Sequence, residues 1–324
     1  MPDDIKPNGI GASVRRKEDK RFLTGNGRYT ADITRVNQLY VHFVRSVHAH
    51  AEIVSVDTSK ALQADGVVAI YTGEDVAADE IGGPISGWVI TQRDGSANPE
   101  PPHPILANGK VRYVGDHIAA VIAETEQQAI DASELVDVEY KVLPAVVDLA
   151  TSANGVPVHD EVPSNTYFDF ELGDEAATED ALANAATIVE LEVRNNRLIP
   201  NAMEPRAALA EYDPIDGSYT LHTTSQNPHL TRLVIGAFML NIPESKLRVV
   251  APDVGGGFGS KIYVYPEEAV CTWASKKLCR PIKWTSDRSE AFLADAHGRD
   301  HINKVRMGLD SNNKIVALRV DSLA

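Results

Sequence analysis

Cysteine is scarce in this sequence: the 324 residues include only Cys271 and Cys279. The two lie eight positions apart in a predicted helix, and the sequence has neither a CxxC pair nor a Cys/His quartet. Structural zinc and cysteine-ligated iron–sulfur clusters need such groupings, so this sequence cannot build either one alone. We therefore predict no metal ligand from the protein. If electrons pass through an iron–sulfur cluster, that cluster must lie on a partner.

Basic residues are also outnumbered. The sequence has 31 Lys and Arg against 46 Asp and Glu, so its formal net charge is −15 at pH 7. A protein that binds nucleic acid needs a basic surface to neutralise the phosphates, and this composition therefore argues against a nucleic-acid partner. The acidity is better explained by solubility than by a cationic partner.

Long apolar runs are missing as well, although 43% of the residues are hydrophobic, as in an ordinary globular protein. The longest strongly apolar stretch, residues 118–123, is far too short to cross a bilayer. The start of the sequence carries two acids and no apolar run, so we expect neither a signal peptide nor a transit peptide. These features predict a cytoplasmic protein without a membrane span.

Short strands alternate with helices along the first half of the sequence. The alternation of apolar and polar residues over 39–44 predicts a half-buried strand, and the apolar run over 117–123 predicts a buried one. A Gly- and Pro-rich stretch over 81–104 predicts a long loop that lines a channel or contacts a partner. A second such stretch, rich in Ser, Asn, Gly and Pro at 148–169, predicts a domain boundary.

The position of that boundary divides the sequence into three parts. We predict an N-terminal arm over residues 1–20, a first domain over 21–148 and a second domain over 149–324. The last predicted strand, 314–320, runs directly towards the final residues with no closing element. We therefore expect the second domain to be incomplete at its C-terminus.

Two predicted strand-to-helix loops carry the strongest chemical signal. The first, at 223–229, contains Gln226 and enters an amphipathic helix over 229–240. The second, DVGGGFGSK at 253–261, follows a predicted strand over 247–251. The residues expected on the inward face of the first helix are Leu230, Leu233, Val234 and Ala237.

The helix predicted after the second loop, over 266–279, has clear signals at both ends. Pro266 suits its first position, and Glu267 and Glu268 complement the positive end of the helix dipole. Basic residues follow near its negative end, and a proline stops it. This helix therefore begins just after the glycine-rich loop.

The four glycines of the second loop have no side chains, so a bound group can approach the backbone there. Glycine loops near helix N-termini offer N–H groups to a phosphate or to a metal-bound oxygen. Neither a dinucleotide GxGxxG motif nor a Walker motif fits, because Ser260 precedes Lys261. The residues alone predict an anion or cofactor cradle. A tight turn is the alternative, with Phe258 as a core anchor and Gln226 as an ordinary loop residue.

Five motifs, which occur in the same order, resemble the xanthine dehydrogenase, aldehyde oxidase and aerobic carbon monoxide dehydrogenase family. The glycine loop is similar to the pterin-binding loop of that family, and SQNPH at 225–229 to its glutamine loop. The remaining three motifs are the MEPR segment at 203–213, an entry motif at 16–25 and 27–32, and a hammerhead-domain motif at 111–117 and 143–146. The resemblance covers nearly the whole chain.

The resemblance implies a mixed α+β fold, in which a hammerhead-like α/β domain precedes the first part of a molybdopterin-binding domain. The cofactor would be molybdenum-molybdopterin cytosine dinucleotide, whose own sulfurs bind the metal, so the protein would tune the site without a direct ligand. By this analogy, Gln226 hydrogen-bonds a molybdenum oxo group. The residues that bring backbone against the cofactor would be Gly256, Gly257, Phe258 and Gly259.

The same resemblance implies an oxidoreductase. This would be the large subunit of a molybdenum hydroxylase that oxidises an aldehyde, an N-heterocycle or carbon monoxide with oxygen from water. Electrons would leave through a 2Fe–2S small subunit to an FAD-binding medium subunit, in a heterotrimer. Purine-oxidising members carry a glutamate just after the glycine-loop lysine, and Ile262 stands there in this sequence, which disfavours purines.

One departure from the family limits this expectation. The family's large subunit is longer, and its second cofactor domain carries the glutamate that acts as general base, which nothing here matches. We expect the chain alone to be inactive, and we expect Glu204 and Arg206 to form a structural pair near the cleft. Three possibilities stay open: a truncated large subunit, a subunit completed by a separate C-terminal chain, and a non-catalytic interaction or assembly module.

Overall fold

The structure is a computed structural model that describes residues 9–86 and 90–324. Residues 1–8 of the predicted arm and residues 87–89 of the loop predicted at 81–104 lie outside the described residues. In the described part of the chain, no helix is long and apolar enough to span a membrane.

Helices and strands are both present throughout the described residues. The helices are α1 (Asp19–Leu23), α2 (Gly73–Ala78), α3 (Glu126–Ser133), α4 (Glu175–Ala183), α5 (Pro228–Leu233), α6 (Pro266–Leu278) and α7 (Arg288–Ala294). The strands are β1 (Leu39–Arg45), β2 (Ala51–Asp57), β3 (Val67–Thr72), β4 (Lys110–Val111), β5 (His117–Ala123), β6 (Asp137–Val142), β7 (Thr187–Asn195), β8 (Ala207–Asp213), β9 (Ser218–Thr223), β10 (Leu247–Val250), β11 (Ile282–Thr285), β12 (His301–Leu309) and β13 (Ile315–Leu323).

A seven-stranded mixed sheet forms the centre of the molecule, in the order β10-β9-β8-β11-β1-β5-β3. It takes strands from both sides of the boundary predicted at 148–169. The two sets join where β1 and β11 run parallel, with Leu39 opposite Ile282 and Tyr40 opposite Lys283. The division into domains at 1–20, 21–148 and 149–324 stays a prediction, and the two main segments share one sheet.

The core lies against this sheet. All seven residues of β5 are buried, as its apolar run predicted, because β5 lies between β1 and β3 and is contacted by α3. α6 packs mainly on β8 and β11 and buries most of its length. Residues from both parts of the chain, among them Phe43, Leu221 and Trp284, belong to one hydrophobic cluster.

The helix predicted at 229–240 is built differently. α5 ends at Leu233, and a π-helical turn, Val234–Met239, follows it. A π-turn holds more residues than an α-turn, so it shifts the side chains out of the α-helical phase. Leu233 and Ala237, expected to face inward, are exposed, and that part of the prediction was wrong. The buried apolar residues of the turn are Val234, Ile235 and Met239.

A buried ionic cluster links the two parts of the large sheet. Glu267, at the start of α6, has no exposed surface, and it accepts two hydrogen bonds of 2.9 Å from the guanidinium of Arg206. Its Oε1 also lies 2.8 Å from Nη2 of Arg45, on β1, and 3.0 Å from Nε2 of His117, on β5. Burial alone would raise the pKa of Glu267, but Arg206, the hydrogen bond with His117 and Arg45 hold that pKa well below its usual range. Glu267 thus does more than complement a helix dipole.

Arg206 makes several contacts in this cluster. Besides Glu267, its Nε donates to Asp295 Oδ1 at 2.6 Å, and its guanidinium lies 3.6 Å from the ring centroid of Tyr265. Arg206 is only 3% exposed, so both of its ion pairs are screened little by water. Removal of Arg206 would leave the carboxylates of Glu267 and Asp295 without this buried counter-ion.

We predict that Arg206→Met lowers the free energy of unfolding by about 3–5 kcal/mol, since it strips a buried carboxylate of its bidentate partner. The matched control is Arg306→Met, which removes surface ion pairs to Glu179 and Glu190 and should cost less than about 1 kcal/mol. Urea unfolding of both variants measures the difference. Equal, small losses would contradict a structural role for the cluster.

Candidate functional site

The two loops singled out in the sequence leave the same edge of the sheet. β9 and β10 are neighbouring parallel strands, with Leu247 opposite Tyr219 and Val250 opposite His222. The carboxyl ends of parallel strands lie side by side, and this edge is where ligands bind in open α/β sheets. The loop after β9 carries Gln226 and the loop after β10 carries the glycines, so the two candidate segments are adjacent.

Direct contacts join the two loops. Oε1 of Gln226 accepts a hydrogen bond of 3.0 Å from the backbone N–H of Gly259, and the N–H of Gln226 donates to the carbonyl of Lys261 at 2.8 Å. A Cβ added at Gly257 would lie 2.3 Å from Oε1 of Gln226. Only glycine at position 257 therefore lets the glutamine side chain lie against the loop.

The backbone of the glycine loop is left-handed at three positions, with φ of 96° at Gly256, 51° at Phe258 and 96° at Gly259. The phenylalanine is unusual there, because a side chain disfavours this conformation. Its ring is 73% exposed, so the interpretation of Phe258 as a core anchor is wrong. The turn instead presents the ring on the surface of the loop.

Several N–H groups at this place have no acceptor in the described residues: the backbone N–H groups of Gly256, Gly257 and Phe258, and the side-chain amide of Gln226. Because Oε1 of Gln226 already accepts from Gly259, the Nε2 donors are the part of that side chain left for another group. Adjacent N–H donors on a glycine-rich turn suit an anion or an oxo group.

A buried ion pair beneath the loop was missed in the sequence. Lys261 is 1% exposed, and its Nζ donates to the carbonyl of Glu204 at 2.8 Å and to Glu204 Oε2 at 3.0 Å. The same carboxylate oxygen accepts from the N–H of Gly255 at 2.6 Å. Glu204 therefore holds both ends of the glycine loop. Burial lowers the pKa of Lys261, and the carboxylate of Glu204 opposes that shift.

These contacts correct the pairing expected from the sequence. Glu204 was expected to pair with Arg206, two residues away, but its partner is Lys261. Arg206 turns instead to Glu267 and Asp295. The two side chains of this segment therefore serve different parts of the molecule.

The N-terminal segment braces the start of the glycine loop. The guanidinium of Arg21 forms a two-pronged pair with the carboxylate of Asp253, and one of these bonds measures 2.6 Å. Asp253 also accepts from the N–H of Arg28 at 2.7 Å. The hydrogen bond from Arg21 lowers the pKa of Asp253, followed by that from Arg28. The 16–32 segment thus contributes to the site although it lies far away in sequence.

The cysteines and other potential ligands do not converge on this site. Among the residues that the structure describes, no group of three or more His, Cys, Asp or Glu side chains is placed to hold a metal ion. Cys271 is buried in α6, and burial raises the pKa of its thiol well above the usual value. Cys279, the last residue of the predicted helix, is exposed and lies just after the end of α6.

Comparison with known families now identifies the class of protein. The molybdopterin cofactor-binding domain family matches residues 158–324, and the a/b hammerhead domain of aldehyde oxidase and xanthine dehydrogenase matches residues 24–144. The chain belongs to the aldehyde oxidase and xanthine dehydrogenase family of molybdopterin-binding proteins. The expected α+β fold class and the family resemblance are confirmed.

Individual relatives agree with this assignment. The chain is 35% identical to the nicotine 6-hydroxylase large subunit of Paenarthrobacter nicotinovorans over 98% of its own length. It is also 35% identical to the carbon monoxide dehydrogenase large chain of Hydrogenophaga pseudoflava, again over 98%. Quinoline 2-oxidoreductase from Pseudomonas putida 86 superimposes with a TM-score of 0.86 at 35% identity, over 98% of this chain and 40% of that chain.

The chain is short beside these proteins. It covers 38% of the nicotine 6-hydroxylase subunit and 40% of the carbon monoxide dehydrogenase chain. The chain covers a larger share of the nicotinate dehydrogenase large molybdopterin subunit of Eubacterium barkeri. At 29% identity, the match covers 96% of this chain and 69% of that protein.

The close contact at Gly257 gives a first prediction for the site. Gly257→Ala should cost about 1–3 kcal/mol of stability and displace Gln226, because the new methyl group has no space. Gly298→Ala is the control, since a Cβ there would meet nothing within 4 Å. Hydrogen exchange of residues 254–262 should rise in the first variant alone. Unchanged exchange would show that the two loops are not packed together.

The buried pair gives a second prediction. Lys261→Met and Glu204→Gln should show a coupling energy of about 1–3 kcal/mol in a double-mutant cycle, because each leaves its partner buried and unpaired. The exposed pair Lys141 and Glu52 should give less than about 1 kcal/mol when treated in the same way. Urea unfolding supplies all the values. A coupling as small as that of the surface pair would argue against a supporting role for Lys261 and Glu204 beneath the glycine loop.

Proposed function

We propose that this chain supplies one side of the cofactor site of a molybdenum hydroxylase. The observation that carries the proposal is the locked geometry of Gln226, whose carbonyl oxygen is used by Gly259 and whose N–H₂ group is left to donate. An oxo group on the metal accepts hydrogen bonds and offers no proton, so it is the matching partner. Gln226 is the residue that we assign to that role.

The glycine loop fits a bulky, flat, polar group such as a pterin. The unpaired N–H groups of Gly256 and Gly257 are donors for its polar edge, and the loop has no side chain there to keep it away. The backbone of Phe258 and Gly259 completes this wall. When bound, the cofactor would supply the oxidation of a carbon centre with oxygen from water. The protein residues position it and donate to its acceptors.

The ion pairs beneath the glycine loop would fix this geometry before the cofactor binds. Lys261 and Glu204 hold the two ends of the loop, and Arg21 holds Asp253 at its start. A preordered loop loses less conformational entropy on binding than a flexible one. We assign these residues to positioning and not to direct contact with the reacting atoms.

The finer features of the assembly are proposals as well. We propose the cytosine dinucleotide form of the cofactor, a 2Fe–2S small subunit, an FAD-binding medium subunit and a cytoplasmic location. The substrate would be an aldehyde, an N-heterocycle or carbon monoxide. Relatives at 35% identity are named for nicotine, quinoline and carbon monoxide. Ile262 after the glycine-loop lysine disfavours purines.

The general base of the reaction would come from polypeptide outside these 324 residues. The relatives at 35% identity are more than twice as long as the matched stretch, which supports a further region that completes the site. The nicotinate dehydrogenase large molybdopterin subunit, of which the chain covers 69%, supports the version in which a separate chain supplies that region. A non-catalytic assembly module is the competing candidate, and it also accounts for the short match.

Cofactor analysis separates these candidates. The purified assembly should contain about one molybdenum and one cytidine nucleotide per chain, measured by elemental analysis and by chromatography after acid hydrolysis. Gln226→Ala should keep most of the metal but lower turnover about 100-fold or more, through loss of a preorganised donor. Gln127→Ala, on an exposed face of α3, should change neither value. A wild-type assembly without molybdenum would favour the assembly module.

A further inference from the structure

The small sheet of β7, β12 and β13 has one face that nothing in the described chain covers. Its strands run in the order β13-β12-β7 and pair residue by residue from residue 302 to residue 308 of β12, with one irregularity between Gly308 and Leu309. Residues opposite one another in that stretch share a face. Two rows cross all three strands on this face: Leu191, Val305 and Val320, then Val189, Met307 and Leu318. All six side chains are apolar, and we call them the uncovered face.

The exposure of these six residues is high for their type. Leu191 is 61% exposed, Leu318 54%, Val189 50% and Val320 49%, while Val305 and Met307, on the central strand, are half-buried. Scattered exposed apolar residues are ordinary, but a large contiguous apolar patch marks an interaction surface. Alternate residues of β7 and β13 therefore place apolar side chains on an exposed face, as they would if another layer packed against it.

The opposite face of the same sheet is covered by α4. Glu179 of α4 pairs with Arg306 at 3.2 Å and with Arg319 at 2.7 Å. Leu182 and Ala185 lie within 3.3 Å of a Cβ built at Gly308. The face that carries Arg306, Arg319 and Gly308 is thus the one that packs on the chain's own helix, whereas the six residues of the uncovered face lie on the other side of the sheet. A sheet with two covered faces is the stable arrangement for a domain of this kind.

Size argues against a second copy of the chain as the cover. Three strands spaced about 4.8 Å apart, with nine residues at about 3.3 Å each, project roughly 400 Å². A stable complex of separate chains buries about 800 Å² on each partner, so this face alone is too small to hold a dimer. It is of ordinary size for packing within a domain, where the second layer is also held elsewhere.

We propose that the uncovered face docks an apolar layer from the rest of the molybdopterin-binding polypeptide, the part of the relatives that this chain does not match. About three fifths of the nicotine 6-hydroxylase and carbon monoxide dehydrogenase subunits lies outside the match. All three strands fall within residues 158–324, the match to the cofactor-binding domain. The absence of charge in both rows points to an apolar partner. This inference rests on the proposed function.

The chain alone provides one test. It should be monomeric by sedimentation velocity and should bind a hydrophobic dye such as ANS. The variant Leu191→Lys/Leu318→Lys should lose dye binding while its Tm stays within about 2 °C, because neither side chain is in the chain's own core. A dimer that this variant disperses would make a second copy the occupant and overturn the proposal. A large fall in Tm would also overturn it, since the face would then be packed within this chain.

A chimera provides the second test. The 324 residues replace the matching part of the nicotine 6-hydroxylase large subunit, in a Cys279→Ser background. A thiol introduced by Leu191→Cys should react with maleimide at least about ten times more slowly in the chimera than in the chain alone. Ile215→Cys, at a residue that is 94% exposed in a turn of the large sheet, should react equally in both. Equal rates at residue 191 in a folded chimera would refute the docking.

The two tests also separate this inference from the proposed function. Protection of residue 191 without bound molybdenum would leave the docking intact and remove the cofactor assignment. Bound molybdenum with a freely reactive residue 191 would do the reverse. If the chimera does not fold, the dye-binding, sedimentation and Tm measurements on the chain alone still decide.

Discussion

The buried carboxylate of Glu267 is the constraint on which much of this molecule depends. It sits at the start of α6 with no exposed surface and binds cations from β1 and from the segment before β8. A charge in such a place is stable only when its partners are held in good geometry. Arg45 lies on β1 and Arg206 directly before β8, in the two halves of the chain, so the ionic cluster joins the two halves of the shared sheet.

The candidate site follows from that shared sheet, because the sheet fixes where the loops emerge. β8 pairs with β9, and β9 pairs in parallel with β10, which places the glutamine and glycine loops at one edge. The site then uses mainly backbone, with the N–H groups of a glycine turn and one amide side chain as its donors. A site of this kind binds through shape and hydrogen bonds, and its charged residues lie behind it as supports.

Local patterns predicted what depends on local structure. The burial of β5 and the glycine-rich turn could be anticipated, because periodicity and backbone freedom act within a few residues. That the two loops share one site was expected from the family resemblance and not from a local pattern. Long-range pairs could not. Glu204 and Arg206 are neighbours in sequence, yet the fold sends one to Lys261 and the other to Glu267. Proximity in sequence was mistaken for proximity in space, and the π-turn after α5 gave no local signal.

The order in which such a site is built follows from where its supports lie. Among the described residues, Lys261, Glu204 and Arg21 hold the glycine loop, and all three belong to this chain. The uncovered face of the β7-β12-β13 sheet, by contrast, contributes nothing to the chain's own core. If the proposed layer docks on this face, folding of this chain and attachment of that layer would be separable steps. A cofactor that must be buried could then enter between them, against a wall already ordered and before the opposite wall closes.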